Sequence, residues 1–285
     1  MTMKATAKAG DSSRISPTAE FTSMVWVRNG LSPEALGSAR GRALYRAFRP
    51  VDRTWELLSG AGGLERYLLA RHAALDAALA RAVESREVEQ VIEIAGGFSG
   101  RGLRFAARYG IPYIEGDLPH VVDEKRARLR RAGPTLPGHE VVALDALADD
   151  GPASLRALAG RLAPARGTAV VVEGLLSYFD RPTNEAVFRR IGDALRRFPR
   201  GLALADVYVA AELRRSRAVR LFRLGLGAFV RGRTHTTADD DAGIVALLAR
   251  AGLDATVTPP VAAGWARILE ARPRPSSPTA STAGQ

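Results

Sequence analysis

The residues best suited to chemistry fall in two neighbouring stretches, Val91-Ile-Glu-Ile-Ala-Gly-Gly-Phe-Ser-Gly-Arg101 and Tyr113-Ile-Glu-Gly-Asp117-Leu-Pro119. An apolar run ending in a glycine-rich turn, then a helix, then a second apolar run ending in an acid, is how an α/β domain builds a nucleoside pocket. Glycine lets a ligand approach the backbone closely, and an acid such as Asp117 can grip a ribose diol. Read against the dinucleotide pattern G-x-G-x-x-G, positions 95, 97 and 100 are Ala, Gly and Gly. The loop by itself therefore leaves open a dinucleotide, S-adenosylmethionine, or a turn with no ligand.

Positioning these residues requires a sheet. Apolar runs at 88–95, 112–116, 140–144, 168–173 and 201–207 alternate with helical patterns at 101–109, 119–131, 152–162 and 182–198. Such alternation predicts parallel strands with right-handed crossovers and a ligand at the strands' carboxyl ends. Five acids fall there: Glu93, Asp117, Asp145, Glu173 and Asp206. That is more than a purely structural sheet needs, although one or two would serve as helix caps. Residues 16–86 have helical periodicity, and breaks at Asn29-Gly30, Ser32-Pro33, Arg49-Pro50 and Gly60–Gly63 divide them into a helical cap. Its last helix, Leu64 to Glu84, is expected over the cofactor end of the sheet. The α/β domain is expected over 87–271. It carries a basic amphipathic insertion at 209–237, readable as a packed helix pair or as a lid. A helix over 238–251 and a hairpin from 255–259 and 265–270 would complete it. Residues 1–15 and 272–285 are small and polar and are expected to be disordered.

Composition narrows the classes. The 285 residues contain no cysteine, which excludes a disulfide framework, thiolate zinc ligands and thiol catalysis; no metal site is expected. No apolar run reaches the length of a membrane span, and the first ten residues lack the apolar core of a secretory signal, so a cytoplasmic protein is expected. The net charge of +11 invites a nucleic-acid reading. Only Lys4, Lys8 and Lys125 are lysines, however, and the arginines are spread among alanines over nearly every helix. Arg214, Arg215, Arg217, Arg220, Arg223, Arg231 and Arg233 form the one local concentration, and the pattern argues against nucleic acid as the partner.

Together with Ala143–Leu147 and Val170-Val-Val-Glu-Gly-Leu-Leu-Ser-Tyr-Phe179, these motifs resemble the leucine carboxyl methyltransferase family, which includes carboxyl O-methyltransferases of bacterial polyketide pathways. The resemblance covers roughly 18–260. It implies a Rossmann-like class I methyltransferase fold: a seven-stranded, mostly parallel sheet with helices on both faces, closed by an antiparallel hairpin, and S-adenosyl-L-methionine as cofactor. By position, Arg71 looks like the arginine that pairs with the cofactor's methionine carboxylate, which suits a bidentate guanidinium. Ala95, Gly96 and Gly97 resemble the turn under the methionine moiety, and Asp117 the acid on the ribose hydroxyls. Asp145 with Ala146 looks like the pair that reads adenine, and Glu173 like the strand-four acid near the sulfonium and amino group. The chain departs from the family at Ala95, where Gly is common, and at Ser99-Gly100, where Asp-Thr is common. Ala95 is expected to need only an ordinary φ.

Methyl transfer to a carboxylate needs no general base, because the acceptor is already ionised at neutral pH; a phenolic or enolic hydroxyl usually wants one. Candidates near the site are Tyr178, His120 and His235, while His72 and His139 look less well placed. Tyr178 is readable equally as a pocket wall or as core. The expectation is an O-methyltransferase of a small, anionic acceptor such as a carboxylated secondary metabolite. The alternatives are a hydroxyl O-methyltransferase, an RNA-directed methyltransferase, a noncatalytic binding protein and an NAD(P)-binding oxidoreductase.

Overall fold

In the computed structural model, residues 17–59, 63–211, 235–259, 261 and 266–275 are described. Residues 1–15, residues 276–285 of the expected loose tail, most of the expected lid with its seven arginines, and Trp265 lie outside them.

Seven strands form one sheet in the order β3-β2-β1-β4-β5-β7-β6. They are β1 (Gln90–Ile94), β2 (Tyr113–Asp117), β3 (His139–Ala143), β4 (Thr168–Val172), β5 (Gly201–Tyr208), β6 (Leu253–Val257) and β7 (Ala266–Pro273). The first five pair in parallel, while β7 inserts antiparallel between β5 and β6. The sheet is thus mostly parallel with a terminal antiparallel hairpin, as the resemblance implies. β7 runs through Pro273, two residues into the stretch expected to be a loose tail, because Asp254 and Leu253 pair with Arg272 and Pro273.

The helices are α1 (Pro17–Arg28), α2 (Ala39–Ser59), α3 (Leu64–Glu84), α4 (Arg101–Tyr109), α5 (Pro119–Ala132), α6 (Leu155–Ala159), α7 (Arg181–Leu195) and α8 (Asp241–Arg250). Their starts follow local chemistry. Asp180 accepts from the Thr183 amide and Asp240 from the Gly243 amide, each satisfying a first-turn donor. The expected break at Arg49-Pro50 is not realised, and α2 runs through Pro50. The proline sits on the exposed side, so the carbonyl deprived of its usual donor faces water. The packing of Tyr45 and Phe48 against Phe21 holds the first half of α2 on α1, and beyond the proline Asp52 accepts from the Leu64 and Glu65 amides at the start of α3.

Three apolar clusters organise the molecule. One covers the sheet face that receives α6, α7 and α8. A second, on the other face, joins Leu75, Ala78 and Leu79 of α3 to Phe105 of α4 and to Val91, Val171 and Leu204 of the strands. The third is formed by α1, α2 and the first turns of α3, around Phe21, Trp26, Tyr45, Tyr67 and Leu68. α3 therefore serves two layers: its start belongs to the cap, and its later turns cover the sheet.

The register sets up the site. Ile94 pairs with Gly116 and with Val172, and Val172 pairs with Ala205. One residue further along, Asp117, Ala95, Glu173 and Asp206 form a row across four neighbouring strands. The cap is seated on the start of α4 beside this row. A Cβ at Gly100 would lie 2.6 Å from the Leu31 carbonyl oxygen and 2.8 Å from Ser32 Cα. The glycine that departs from the family pattern is thus required by close backbone approach. Gly100→Ala is expected to destabilise the protein by roughly 1–3 kcal/mol in urea unfolding, because both clashing atoms are backbone. A variant as stable as the wild type would contradict this seating of the cap.

Candidate functional site

The carboxyl edge contains two kinds of polar residue, one consumed by internal contacts and one open. Glu173, just past β4, is the hub of the first kind. Its Oε1 accepts from Arg71 Nε at 3.0 Å, and its Oε2 lies 2.5 Å from Arg101 Nη2 and 2.8 Å from His72 Nδ1. Arg101, the first residue of α4, is fully buried; it also donates to Glu93 at 2.6 Å and to Asp76 at 2.5 Å. Asp76 in turn accepts from Arg104. His72 is sandwiched into this network by stacking on Trp26, with ring centroids 4.2 Å apart.

Asp206 is fully buried on β5. Its Oδ2 accepts from Arg71 Nη1 at 3.2 Å and from the Tyr208 hydroxyl at 2.7 Å, and its Oδ1 accepts from the Gly174 amide at 2.7 Å. A separate buried group links Glu115 to Lys125 and, at 2.7 Å, to His139.

These contacts correct the expectation that five strand-end acids face a ligand. Glu93 lies inside β1 with Arg101 on one oxygen and the Tyr113 hydroxyl on the other. Glu93, Glu173 and Asp206 are all committed to protein donors. Sequence reasoning missed Arg101 and Asp76 and placed His72 outside the site. The available signal was the His72–Asp76 spacing, which puts both on one face of α3.

The open residues surround the glycine turn. Ala95 has φ +56° and Gly97 φ +50°. Ala95 therefore adopts the left-handed conformation, against the expectation of an ordinary φ, because the chain must turn sharply between Ile94 and the loop while the Ala95 amide still bonds to Gly116. A Cβ on Gly97 would meet nothing within 4 Å, so the turn faces open space, whereas one on Gly96 would come 3.1 Å from Glu115. Asp117 accepts from the Gly97 amide at 2.8 Å and from the Leu118 amide at 2.7 Å. Burial raises its pKa, and these two amides oppose the rise. Asp145 is exposed beyond β3 with one oxygen on the Leu147 amide at 2.9 Å, and Ala146 packs partly on the core beside it.

Arg71 is buried on α3, where a solvated surface charge was the alternative expectation. Its Nε and Nη1 are engaged, and its Nη2 makes no hydrogen bond to the described residues. Tyr178, in the short turn Leu176–Tyr178, is 43% exposed, which excludes a core role, and its side chain lies near Thr18 and Arg71. The amide of His235 bonds to the Ser177 carbonyl at 2.7 Å, so its backbone sits one residue from Tyr178. His120 is the second residue of α5, in the connection that follows β2. The edge thus brings Tyr178 and the His235 segment together and leaves His120 apart. Among the described residues no cluster of side chains suited to a metal ion occurs, and no helix is long and apolar enough to cross a membrane.

This sheet order, with the glycine turn after β1 and an acid closing β2, defines a class I methyltransferase fold. More particularly, residues 35–192 match the model of the leucine carboxyl methyltransferase family, and the chain belongs to that family. Relatives with provisional names as S-adenosyl-L-methionine-dependent methyltransferases include one from Mycolicibacterium paratuberculosis, 45% identical over 93 residues, which are 32% of this chain and 28% of the relative. Another, from Mycolicibacterium smegmatis, is 38% identical over 117 residues, 40% of this chain and 38% of the relative. The matched stretches thus span well under half of these relatives' lengths. Among solved structures, the S-adenosylmethionine-dependent methyltransferase SibL aligns with a TM-score of 0.51 at 19% identity, covering 90% of this chain and 70% of that one. The mitomycin 7-O-methyltransferase MmcR aligns with a TM-score of 0.50 at 19% identity, covering 90% and 67%. Both likenesses are of fold.

The network predicts an acid response. Burial alone would raise the Glu173 carboxyl, but His72, Arg101 and Arg71 hold it well below the usual carboxylate range. Its contribution to stability is therefore complete above the unfolded value of about 4.3 and is lost as pH falls through the lower folded value. Glu93, raised mainly by burial, has the opposite sign: its contribution is present in acid and is lost as pH rises through its folded value. Glu173→Gln is expected to be less stable at pH 7 and to lose less stability between pH 5 and pH 2 in denaturant titrations. An acid limb as steep as that of the wild type would contradict the assignment.

Proposed function

We propose that the protein is an S-adenosyl-L-methionine-dependent O-methyltransferase that acts on a small carboxylate-bearing acceptor. The observation that carries this reading is the open face of the Gly97 turn, flanked by the Asp117 carboxylate on one side and, on the other, by Arg71 Nη2, which bonds none of the described residues. These groups match a ligand that has a ribose diol at one end and an amino-acid carboxylate at the other. Asp117 accepts from the ribose hydroxyls with the lone pairs its two amide donors leave free, as a charged and therefore stronger acceptor. Arg71 Nη2 binds the cofactor carboxylate. Asp145 and Ala146 line the adenine end.

When bound, S-adenosyl-L-methionine supplies a methyl group on a sulfonium, already activated for in-line displacement. The chain's own work is orientation and exclusion of water. The buried Glu173 supplies negative potential beside the methionine end while remaining tied to its three donors. Tyr178 and the segment of His235 form the acceptor wall, with Arg71 nearby. A carboxylate acceptor requires no proton removal, which suits an edge whose buried His72 is engaged in the ion network rather than open to a substrate. The ion pairs of surface arginines, such as Arg181–Asp239 and Arg272–Glu87, neutralise much of the basic charge locally and support a small acceptor over nucleic acid.

Two measurements test the reading. Asp117→Ala removes a charged acceptor, and hydrogen bonds to charged groups contribute roughly 1.5–3 kcal/mol. Calorimetry should show affinity for S-adenosyl-L-homocysteine falling at least about tenfold with the fold retained; unchanged affinity would reduce Asp117 to a loop tie. Incubation with methyl-labelled cofactor and paired carboxylate and phenol acceptors should label the carboxylates, giving esters that release methanol in base. Exclusive formation of base-stable ethers would overturn the carboxyl acceptor in favour of a hydroxyl one.

A further inference from the structure

We infer that Asp206, Tyr208 and Tyr67 form a positioning relay that aims Arg71 at the amino-acid end of the cofactor, an inference that rests on the S-adenosyl-L-methionine reading above. None of the three is placed to touch a ligand itself in this scheme; they act through the guanidinium.

The relay is directional and closed. The Tyr67 hydroxyl donates to the Tyr208 oxygen at 2.7 Å, Arg71 Nη1 donates to the same oxygen at 2.9 Å, and Tyr208 donates to Asp206 Oδ2 at 2.7 Å. The Tyr208 hydroxyl thus accepts twice and donates once, which is its full capacity. Asp206 also takes Arg71 Nη1 directly and holds the Gly174 amide on its other oxygen. With Nε on Glu173 and Nη1 on Tyr208 and Asp206, two of the three nitrogens of a rigid, planar fork are held. Holding both fixes the plane, and so fixes where the N–H groups of Nη2, which bond none of the described residues, point.

Gly174 keeps that direction clear. It adopts φ +72° in the turn after Glu173, and a Cβ there would lie 3.3 Å from Arg71 Nη2. By holding the Gly174 amide, Asp206 sets both the guanidinium and the turn beside its open end. A long arginine side chain otherwise loses rotamer freedom on binding, so a preset fork gives affinity without a new contact. The chemistry of the relay explains its residue types. Asparagine at 206 would replace one of two carboxylate acceptors with a donor, facing groups that all donate. Phenylalanine at 208 would fill the same space but remove the oxygen that accepts from Tyr67 and from Arg71 Nη1, leaving Asp206 as the acceptor that holds Nη1.

A role in folding alone and a role in aiming Arg71 predict different ligand dependences. Calorimetric titration of the full-length wild type, Tyr208→Phe and Asp206→Asn proteins with S-adenosyl-L-homocysteine and with 5′-methylthioadenosine separates them, because the second ligand lacks the amino-acid moiety. Tyr208→Phe should weaken S-adenosyl-L-homocysteine about tenfold, change 5′-methylthioadenosine less than about twofold, and leave the thermal transition cooperative. Asp206→Asn should show the same pattern with a larger loss. Should Asp206→Asn not fold, Tyr208→Phe decides alone. Equal losses for both ligands, or no loss for S-adenosyl-L-homocysteine while the wild type binds it, would overturn the relay. A wild type that binds neither ligand would overturn the cofactor reading as well.

Discussion

The carboxylate of Glu173 is the contact on which the rest of the site depends. It lies at the end of the central strand β4 and receives a guanidinium from α3, a guanidinium from α4 and an imidazole from α3. Through Arg71 it is coupled to Asp206 on β5, and through Arg101 to Glu93 on β1 and Asp76 on α3. A charge so buried is costly to desolvate and is tolerated only with excellent geometry and full satisfaction of its lone pairs. Removing one partner of such a pair typically costs about 3–5 kcal/mol, whereas exposed pairs contribute little. The chain's many surface ion pairs therefore shape solubility more than stability, and the few buried ones lock α3 and α4 over the sheet edge.

That locking divides the polar groups by task. Three guanidiniums and His72 face Asp76, Glu93, Glu173 and Asp206, and these carboxylates are spent on holding the scaffold. Among the described residues of the edge, those turned outward are the glycine turn, Asp117, Asp145, Tyr178 and the Nη2 end of Arg71. A preorganised site of this kind asks little reorganisation of the protein when charge is transferred. In the proposed reaction a methyl group passes from a cation to a carboxylate and both charges disappear, so no base is required and the site's work is to hold donor and acceptor in line.

The sheet was legible from the sequence because each parallel strand is a continuous apolar run between helices. The position of the Gly96-Gly97 turn and of Asp117 at the carboxyl edge was legible because glycines follow the first apolar run and an acid closes the second. The buried network was not. Arg71 and Glu173, or Arg101 and His72, are distant in sequence, and nothing in a local pattern distinguishes an arginine bound for the interior from the many that remain in water. Ala95 shows a second limit, since only the requirement for a sharp turn after β1 reveals that a side chain is held at φ +56°. Pro50 shows a third: α2 continues through a residue that local propensity treats as a stop, with Tyr45 and Phe48 packed on α1 before it and Asp52 bonded to the start of α3 after it. Gly100 was visible as a departure from the family, but its cause, the backbone of Leu31 and Ser32 above it, belongs to the fold.

The most direct test of the account is a crystal structure of the protein with S-adenosyl-L-homocysteine. The ribose hydroxyls should lie within hydrogen-bond distance of Asp117 and the ligand carboxylate within hydrogen-bond distance of Arg71 Nη2. The ion pairs of Glu173 to Arg71 and Arg101 should be retained. A ligand bound away from the Gly97 turn, or an Arg71 that abandons Glu173 and Asp206 to reach it, would contradict the claim that the buried network presets the site.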